Sequence, residues 1–311
     1  MQSLELKSWQ RWMNVPRCDQ RAAVERWLER LPTVSEPEAW NAQFGSGTLF
    51  DAWTRSSVVQ GVYEHNRALL ARVVGTPGFR IIEVGGGDGR LWRDWLPADA
   101  IGELVIIDPV VESSAEVARA LPSGVRPIVV HREVQNTLDD PLWADADAVV
   151  CSLTLHHVAG RDAADRAASG LSGPGKLEVL RTMGKALRST GVLLLNEADV
   201  HCELDIPAGE LLAERLMDSY IRRAGHSLLA DVRDRVDADD DLRARWLAVF
   251  RHWCLEQIRL ADVQVSERDV YELDVTRWLA LCADAGLLVE RCRPTDRYGL
   301  FYGYVLRSAP Q

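Results

Sequence analysis

The chain has 311 residues, 47% hydrophobic and 26% charged, so it can bury a full core and has an ordinary globular composition. No stretch approaches the roughly 20 uncharged apolar residues of a membrane span, and the opening residues, MQSLELKSWQRW, lack the apolar segment of a secretory signal. A formal net charge of −10 argues against a nucleic-acid partner, which would need a basic face.

Two segments near the start of the chain carry apolar residues three to four apart, which predicts amphipathic helices: RAAVERWLERL (21–31) and SSVVQGVYEHNRALLARVV (56–74). Thr76-Pro77-Gly78 ends this helical pattern. Short apolar strands then follow: FRIIEV (79–84), ELVIIDP (103–109), RPIVVHRE (126–133), ADAVVCSL (146–153) and GVLLLNEA (191–198). Helical segments separate them, among them LWRDWLP (91–97), VVESSAEVARAL (110–121) and KLEVLRTMGKALRS (176–189). This alternation predicts βαβ units and a parallel, doubly wound sheet.

The alternation stops after Ala198. A long helical insertion is predicted next, with ERLMDSYIRRAGHSLLADVRDRV (214–236) and RARWLAVFRHWCLEQIRLA (243–261) as its clearest helices. Another amphipathic helix, DVTRWLALCADAGL (274–287), ends at a glycine. Two last strands, LLVERCRP (287–294) and LFYGYVLRS (300–308), flank the turn TDRYG and predict an antiparallel pair.

Cysteine and tryptophan are informative through where they fall. The six cysteines show no CxxC spacing, which argues against a zinc cluster or a redox pair and fits a cytoplasmic protein with buried thiols. Five of the eleven tryptophans lie in the first 53 residues: Trp9, Trp12, Trp27, Trp40 and Trp53. Most are expected to pack between helices, and one or two to line an aromatic acceptor pocket, Trp253 of the insertion being the candidate chosen.

A glycine-rich loop follows the first predicted strand in IIEVGGGDGRLW (81–92). A phosphate-binding P-loop is excluded, because Arg90 and Leu91 stand where a Lys and a Ser or Thr are required. A dinucleotide fingerprint fails because its third glycine should stand where Arg90 does. The spacing that fits is acid-x-Gly-x-Gly-x-Gly, from Glu83 to Gly89.

This segment resembles motif I of the class I S-adenosylmethionine-dependent methyltransferases, and three later features agree with it in order. Asp108 ends the second strand, where the family's acid accepts hydrogen bonds from both ribose hydroxyls. The turn in DAVVCSLTLHHV (147–158) resembles the one that passes under the methionine, and the final strand pair resembles the family's sixth and seventh strands. The resemblance covers about 78–308 and implies a Rossmann-like seven-stranded methyltransferase sheet with a helical N-terminal cap and a helical insertion.

The resemblance assigns the parts of the chain and the cofactor site. The parts are a cap (1–77), a Rossmann-like core that binds S-adenosyl-L-methionine (78–199), a helical lid insertion (200–270) and a segment that completes the core (271–311). The residues expected at the cofactor are Tyr63, Glu83, Gly85, Gly86, Gly87, Asp108, Pro109, Glu133, Val134, Ser152 and Leu153. Asn66, one helical turn from Tyr63, belongs to the same covering helix.

The catalytic candidates are His156 and His157, since a histidine titrates near neutral pH and could remove the acceptor's proton. His156 is slightly favoured because the turn after the strand faces the ligand cleft. The alternative is a histidine that only holds the turn. Asn196 and Glu197 are candidates for the acceptor, or else they satisfy loop backbone, while His201 is a weaker candidate. Nothing in the pattern requires a metal.

The sequence thus predicts a cytoplasmic methyltransferase of specialised metabolism, acting on oxygen or nitrogen of a small molecule under a lid, without a nucleic-acid or membrane partner. Two rivals stay open. One is attack on the methionine Cγ, which releases methylthioadenosine, and the other is a non-catalytic subunit that binds the cofactor. An NAD oxidoreductase is disfavoured by Arg90. The oligomeric state stays open, with a homodimer as one form.

Overall fold

A computed structural model describes residues 7, 9, 17–33, 54–73, 78–93, 101–110, 117, 119–121, 125–158, 174–200, 208–235, 240–264 and 272–309. The strands are β1 (Phe79–Val84), β2 (Ile101–Ile107), β3 (Ile128–Val130), β4 (Ala146–Ser152), β5 (Leu187–Ala198), β6 (Leu287–Pro294) and β7 (Phe301–Ser308). The α-helices in the described residues are α1 (Arg17–Leu28), α2 (Ser57–Val73), α3 (Pro174–Ala186), α4 (Glu210–Leu216), α5 (Arg222–Arg235), α6 (Asp240–Leu260) and α7 (Val275–Asp284). A π-helical turn, Met217–Ile221, joins α4 to α5.

The strands form one sheet in the order β3-β2-β1-β4-β5-β7-β6. The first five run parallel, and β7 is antiparallel to both β5 and β6. The predicted doubly wound, Rossmann-like seven-stranded sheet with a terminal antiparallel pair is therefore confirmed. The carboxyl ends of β1, β2, β4 and β5 all lie at one edge, so the segments that follow them meet there.

Helices cover both faces of this sheet, because alternate residues of each central strand are apolar and point to opposite sides. On one side Ile82 and Val105 pack in a core with Met183 of α3 and Trp278 of α7. On the other side Ile81 and Ile106 pack in a core with Leu70 of α2.

A third core joins the helices at the start of the chain to those of the insertion. Trp9 meets Trp27 at 5.9 Å and Phe250 of α6 at 5.4 Å between ring centroids, an arrangement favoured by aromatic quadrupoles. Ala198 and Phe301, at the ends of β5 and β7, belong to the same cluster. The helices at the start of the chain and those of the insertion thus share one apolar core. That core reaches the sheet at the end of β5 and the start of β7.

Two polar contacts attach α5 to the rest of the molecule. Arg223 donates to the backbone carbonyl of Gly299 at 2.6 Å and lies 3.3 Å from the buried carboxylate of Asp199. Asp231 accepts from both the backbone N–H and the hydroxyl of Ser57, at 2.7 and 3.0 Å, and so caps the start of α2. These bonds hold the insertion against the helix that covers the sheet edge.

The structure corrects some predicted boundaries. β3 has three residues instead of eight, since its partly exposed side chains bury little apolar surface at the edge of the sheet. β5 begins at Leu187, where α3 has just ended, because Leu187 pairs with Ala146 of β4 ahead of a register shift. β6 matches its prediction, and α7 ends before Gly286, which takes the left-handed φ of +75°.

Other predictions fall largely or wholly outside the described residues: the helices at 91–97 and 110–121, and His201, Trp12, Trp40 and Trp53. Within the described ranges, every helix is too short or too polar to cross a membrane.

Candidate functional site

The glycine loop begins directly after β1, at the centre of the sheet. Gly85 takes a φ of +73°, and a Cβ on it would lie 1.9 Å from Oγ1 of Thr154, in the turn after β4. A Cβ on Gly86 would lie 2.5 Å from Cγ2 of Ile106 in β2. The loop is therefore pressed between its two neighbouring strands, and side chains at these positions would push it outward.

Asp108 follows β2 and faces this loop. Its Oδ2 accepts the backbone N–H of Gly87 at 2.8 Å, and its Oδ1 accepts that of Val110 at 2.8 Å. Each carboxylate oxygen has a second lone pair, so the group can accept further hydrogen bonds from a ligand while the loop holds it in place. The carboxylate therefore ties the glycine loop to the segment that follows β2.

Glu83 lies beneath the loop with almost no exposed surface. Burial raises the pKa of its carboxyl group to about 8, although Trp92 Nε1 donates to Oε2 at 2.5 Å and opposes the shift. The nearby carboxylates of Asp108 and Asp88 raise the pKa further. Asp88 is paired with Arg90, which balances its charge within the loop.

The turn after β4, residues 152–158, forms the other half of the edge and is called the β4 turn below. Leu153 has a φ of +53°, a left-handed conformation that is costly for a residue with a branched side chain, and its N–H donates to the carbonyl of Asn196 at 2.8 Å. A short 3₁₀ helix, Leu155–His157, completes the turn. Such strain persists where surrounding contacts impose it, and it is frequent at functional sites.

Glu197, near the end of β5, supplies those contacts. It is fully buried, and its Oε1 accepts the backbone N–H groups of Thr154 and Leu155 at 3.0 and 2.7 Å. Its Oε2 lies 2.8 Å from Nδ1 of His156. The carboxylate therefore organises the β4 turn, and its predicted contact with an acceptor stays a prediction.

The ring of His156, the first of the two histidines, contacts Glu197. Because Glu197 accepts from Nδ1, the neutral ring carries its lone pair on Nε2, where a base needs it. Burial alone would lower the pKa of His156, but the adjacent Glu197 carboxylate outweighs burial and raises it. The exposed ring of His157 lies 4.2 Å away between centroids, and its catalytic role stays a prediction.

A chain of buried amides links α2 to the ends of β4 and β5. Asn196 Nδ2 donates to Oδ1 of Asn66 at 2.9 Å, and Asn66 Nδ2 donates to the hydroxyl of Ser152 at 2.9 Å. Asn196 is thereby engaged with Asn66, and its role at the acceptor stays a prediction. Tyr63 lies one turn earlier on α2; burial, then the charge of Asp88, raises the pKa of its phenol, which keeps it protonated at neutral pH.

The predicted adenine region lies beyond β2, toward the β3 edge. Pro109 is exposed directly after Asp108, and Glu133 is exposed before a short 3₁₀ helix, with its carboxylate accepting from Gln135 at 2.7 Å. Val134 is buried in the core below. These residues follow neighbouring strands and leave an acidic group at the surface, whereas their contact with adenine stays a prediction.

Trp253 lies on α6, within the insertion. It packs, partly buried, against the same apolar cluster as Tyr63 and Leu153. The insertion therefore brings an aromatic side chain to the cluster that also contacts α2 and the β4 turn.

Some contributors escaped the sequence analysis. The sequence analysis identified the segments that contain Thr154, Trp92 and Arg67, but it did not predict the contacts of these residues. Arg67, for example, donates to the carbonyl of Leu91 at 2.9 Å and so holds the end of the glycine loop. Lys176 of α3, which reaches the β4 turn, carried no signal, because a lysine on a predicted amphipathic helix is ordinarily solvated.

No protein-family model and no curated protein matches the sequence. Among solved structures, the chain is similar to magnesium protoporphyrin IX methyltransferase from Synechocystis with bound S-adenosylhomocysteine, at 13% identity and a TM-score of 0.47, over 87% of this chain and 93% of that one. It is similar to 1,6-didemethyltoxoflavin-N1-methyltransferase from Burkholderia thailandensis at 16% identity and a TM-score of 0.45, over 84% and 82%. A SAM-dependent methyltransferase from Leishmania major is 14% identical with a TM-score of 0.44, over 97% and 82%.

Proposed function

We propose that the protein is an S-adenosyl-L-methionine-dependent methyltransferase that acts on oxygen or nitrogen of a small molecule. The observation that carries the proposal is the pairing of Asp108 with the glycine loop: its carboxylate accepts the N–H of Gly87 at the centre of a sheet of order 3-2-1-4-5-7-6. An acceptor group of this kind suits a ribose diol, and the bare loop beside it lets a ligand approach the backbone.

The residues present fit this cofactor. Asp108 would hold the ribose, and Glu133 and Val134 would lie toward the adenine. The bare backbone at Gly85 and Gly87 would adjoin the ribose and methionine. Ser152, Leu153, Tyr63 and Gly86 complete the proposed set. The methyl group bonded to the cofactor's sulfonium is the group transferred.

The chain's own residues would orient the acceptor and remove its proton. Nε2 of His156 is the proposed proton acceptor, held by Glu197 in the required tautomer. The cap (1–77) and the insertion (200–270) would act as a lid, since they share one apolar core that includes the packing of Trp253. Exclusion of water and alignment of the reacting atoms would supply much of the acceleration.

The test is product identification. The purified protein is incubated with S-adenosylmethionine, with and without a small-metabolite extract, and the adenosine-containing product is identified by mass spectrometry. We expect S-adenosylhomocysteine that depends on the extract, together with an acceptor heavier by one methyl group. The Asp108→Ala variant serves as the control and should form far less product, because its affinity for S-adenosylmethionine is expected to fall roughly 100-fold or more.

Other products would overturn the proposal in defined ways. Methylthioadenosine, especially without extract, would mean that the nucleophile attacks the methionine Cγ. Cofactor binding without turnover across diverse extracts would indicate a non-catalytic binding subunit.

A further inference from the structure

Lys176 is a fully buried lysine on α3. Its Nζ donates to the backbone carbonyl of Val158 at 2.7 Å, where the turn ends. A buried ammonium group is costly unless it is bonded and its charge is balanced. We therefore expect the buried Lys176 to stabilise the β4 turn that it contacts.

Glu197 holds the same turn closer to β4. It accepts from the N–H groups of Thr154 and Leu155 and contacts the ring of His156, as described above. Two buried ionisable side chains, Lys176 from α3 and Glu197 from β5, thus hold different parts of a single seven-residue turn. His156 lies between the backbone groups that the two side chains bind.

Charged groups from three elements act on His156. Glu197 from β5 and Glu272, three residues before the start of α7, favour the protonated ring, whereas Lys176 from α3 disfavours it. His157, on the same turn, faces the ring at 4.2 Å. Burial lowers the pKa of Lys176 to about 7, against the opposing effects of Glu197 and Glu272, so its charge responds to pH in the same range as histidine.

We propose that Lys176 is a positioning residue for His156: it fixes the end of the β4 turn through Val158 and partly neutralises Glu197, and so sets how strongly Glu197 holds the histidine ring. This inference rests on the proposed function for its catalytic consequence. The state of the His156 ring, however, can be measured in the free protein, whatever reaction it catalyses.

The decisive experiment is an NMR titration of the His156 Cε1 proton, assigned with a His156→Gln variant. Lys176→Met, which removes the charge and keeps the apolar stem, should shift the pKa of His156 upward. Lys185→Met, an exposed position on the same helix, is the matched control and should leave the titration unchanged. An unchanged or lowered pKa in a folded Lys176→Met protein would overturn the proposal.

Two further variants keep the test decisive. Lys176→Gln can still donate to the carbonyl of Val158 but carries no charge, so it should also raise the pKa of His156. It replaces Lys176→Met if that variant does not fold. In a Glu197→Gln background the effect of removing Lys176 should shrink, because the proposal routes it through Glu197. An undiminished shift would mean a direct charge effect and would contradict that route.

An activity readout separates this inference from the proposed function. If the methyl transfer occurs, the acid limb of its pH profile should move to higher pH in Lys176→Met, since a ring with a higher pKa loses its proton later. If no methyl transfer is found, the NMR shifts are still expected, so either claim can fail alone.

Discussion

The glycine loop and the β4 turn lie side by side at the same edge of the sheet but are built in different ways. In the glycine loop the backbone itself forms the surface, and the hydrogen bonds that fix it join residues closer in sequence than those of the β4 turn. Gly87 and Asp108 are 21 residues apart, and Glu83 and Trp92 are nine apart. The β4 turn is instead held by a buried charged side chain. Glu197 bonds to Thr154 and His156, which are 43 and 41 residues away in the sequence.

The difference teaches that one edge of a sheet can combine two kinds of rigidity. Bare backbone suits close approach to a ligand, whereas a turn held by buried charges can orient a titrating ring. The two are coupled, because Thr154 of the turn occupies the space that a side chain at Gly85 would need. Four substitutions test how far this division holds.

The largest effect is expected from Asp108→Ala. It removes the proposed acceptor of the ribose and also frees the N–H groups of Gly87 and Val110, so the affinity for S-adenosylmethionine should fall roughly 100-fold or more. Calorimetric titration measures it, with the exposed Asp139→Ala as a control. Unchanged affinity would remove the main support for the proposed cofactor site.

Gly85→Ala tests the contact between the two regions. Its Cβ would meet Oγ1 of Thr154 at 1.9 Å, so the free energy of unfolding should fall by about 3 kcal/mol. Gly87→Ala is the matched control: it also has a positive φ, but no atom lies within 4 Å of its Cβ, so only the conformational cost of about 1 kcal/mol applies.

Urea denaturation gives both values. Adding Thr154→Gly to Gly85→Ala should recover part of the loss, because the double variant removes the side chain that collides. Equal losses in the two alanine variants, or no recovery, would show that the regions are not packed as described.

Glu83→Gln sharpens the electrostatic side of the comparison. The carboxyl group titrates at about 8 when folded and near 4.5 when unfolded, so between these values ionisation favours the unfolded chain. The stability of the wild type relative to Glu83→Gln should therefore decline by about 2 kcal/mol from pH 5 to pH 7, without cofactor. Denaturation at a series of pH values measures this, with the exposed Glu133→Gln as the control variant.

The smallest effect is expected from Glu197→Gln, since the amide oxygen can still accept an N–H of the β4 turn. Loss of the negative charge should lower the pKa of His156, which moves the acid limb of the pH profile to lower pH and reduces kcat/KM about tenfold. Exposed Glu178→Gln on α3 is the control. If the acid limb of the pH profile does not move in Glu197→Gln, His156 is not the group that removes the proton.

The sequence analysis predicted features that depend on adjacent residues better than features that depend on contacts between distant residues. β1 and β6 were predicted with their observed bounds, and the insertion's helices were recognised, because strand and helix periods are properties of adjacent residues. β5 was predicted to begin four residues late, since the pairing of Leu187 with Ala146 depends on a neighbouring strand. Asn66 was associated with Tyr63, but its bond to Ser152 was not foreseen.

The sequence by itself determined the alternating strands, the acid-and-glycine spacing from Glu83 to Gly89 and the acid that follows the next strand, because each is a short-range pattern with a direct backbone meaning. Only the tertiary structure decided that Glu197 and Lys176 are buried and hold the β4 turn at different points. The reason is physical: whether a charged side chain is buried or solvated depends on which strands become neighbours, and parallel pairing joins residues that no local pattern connects.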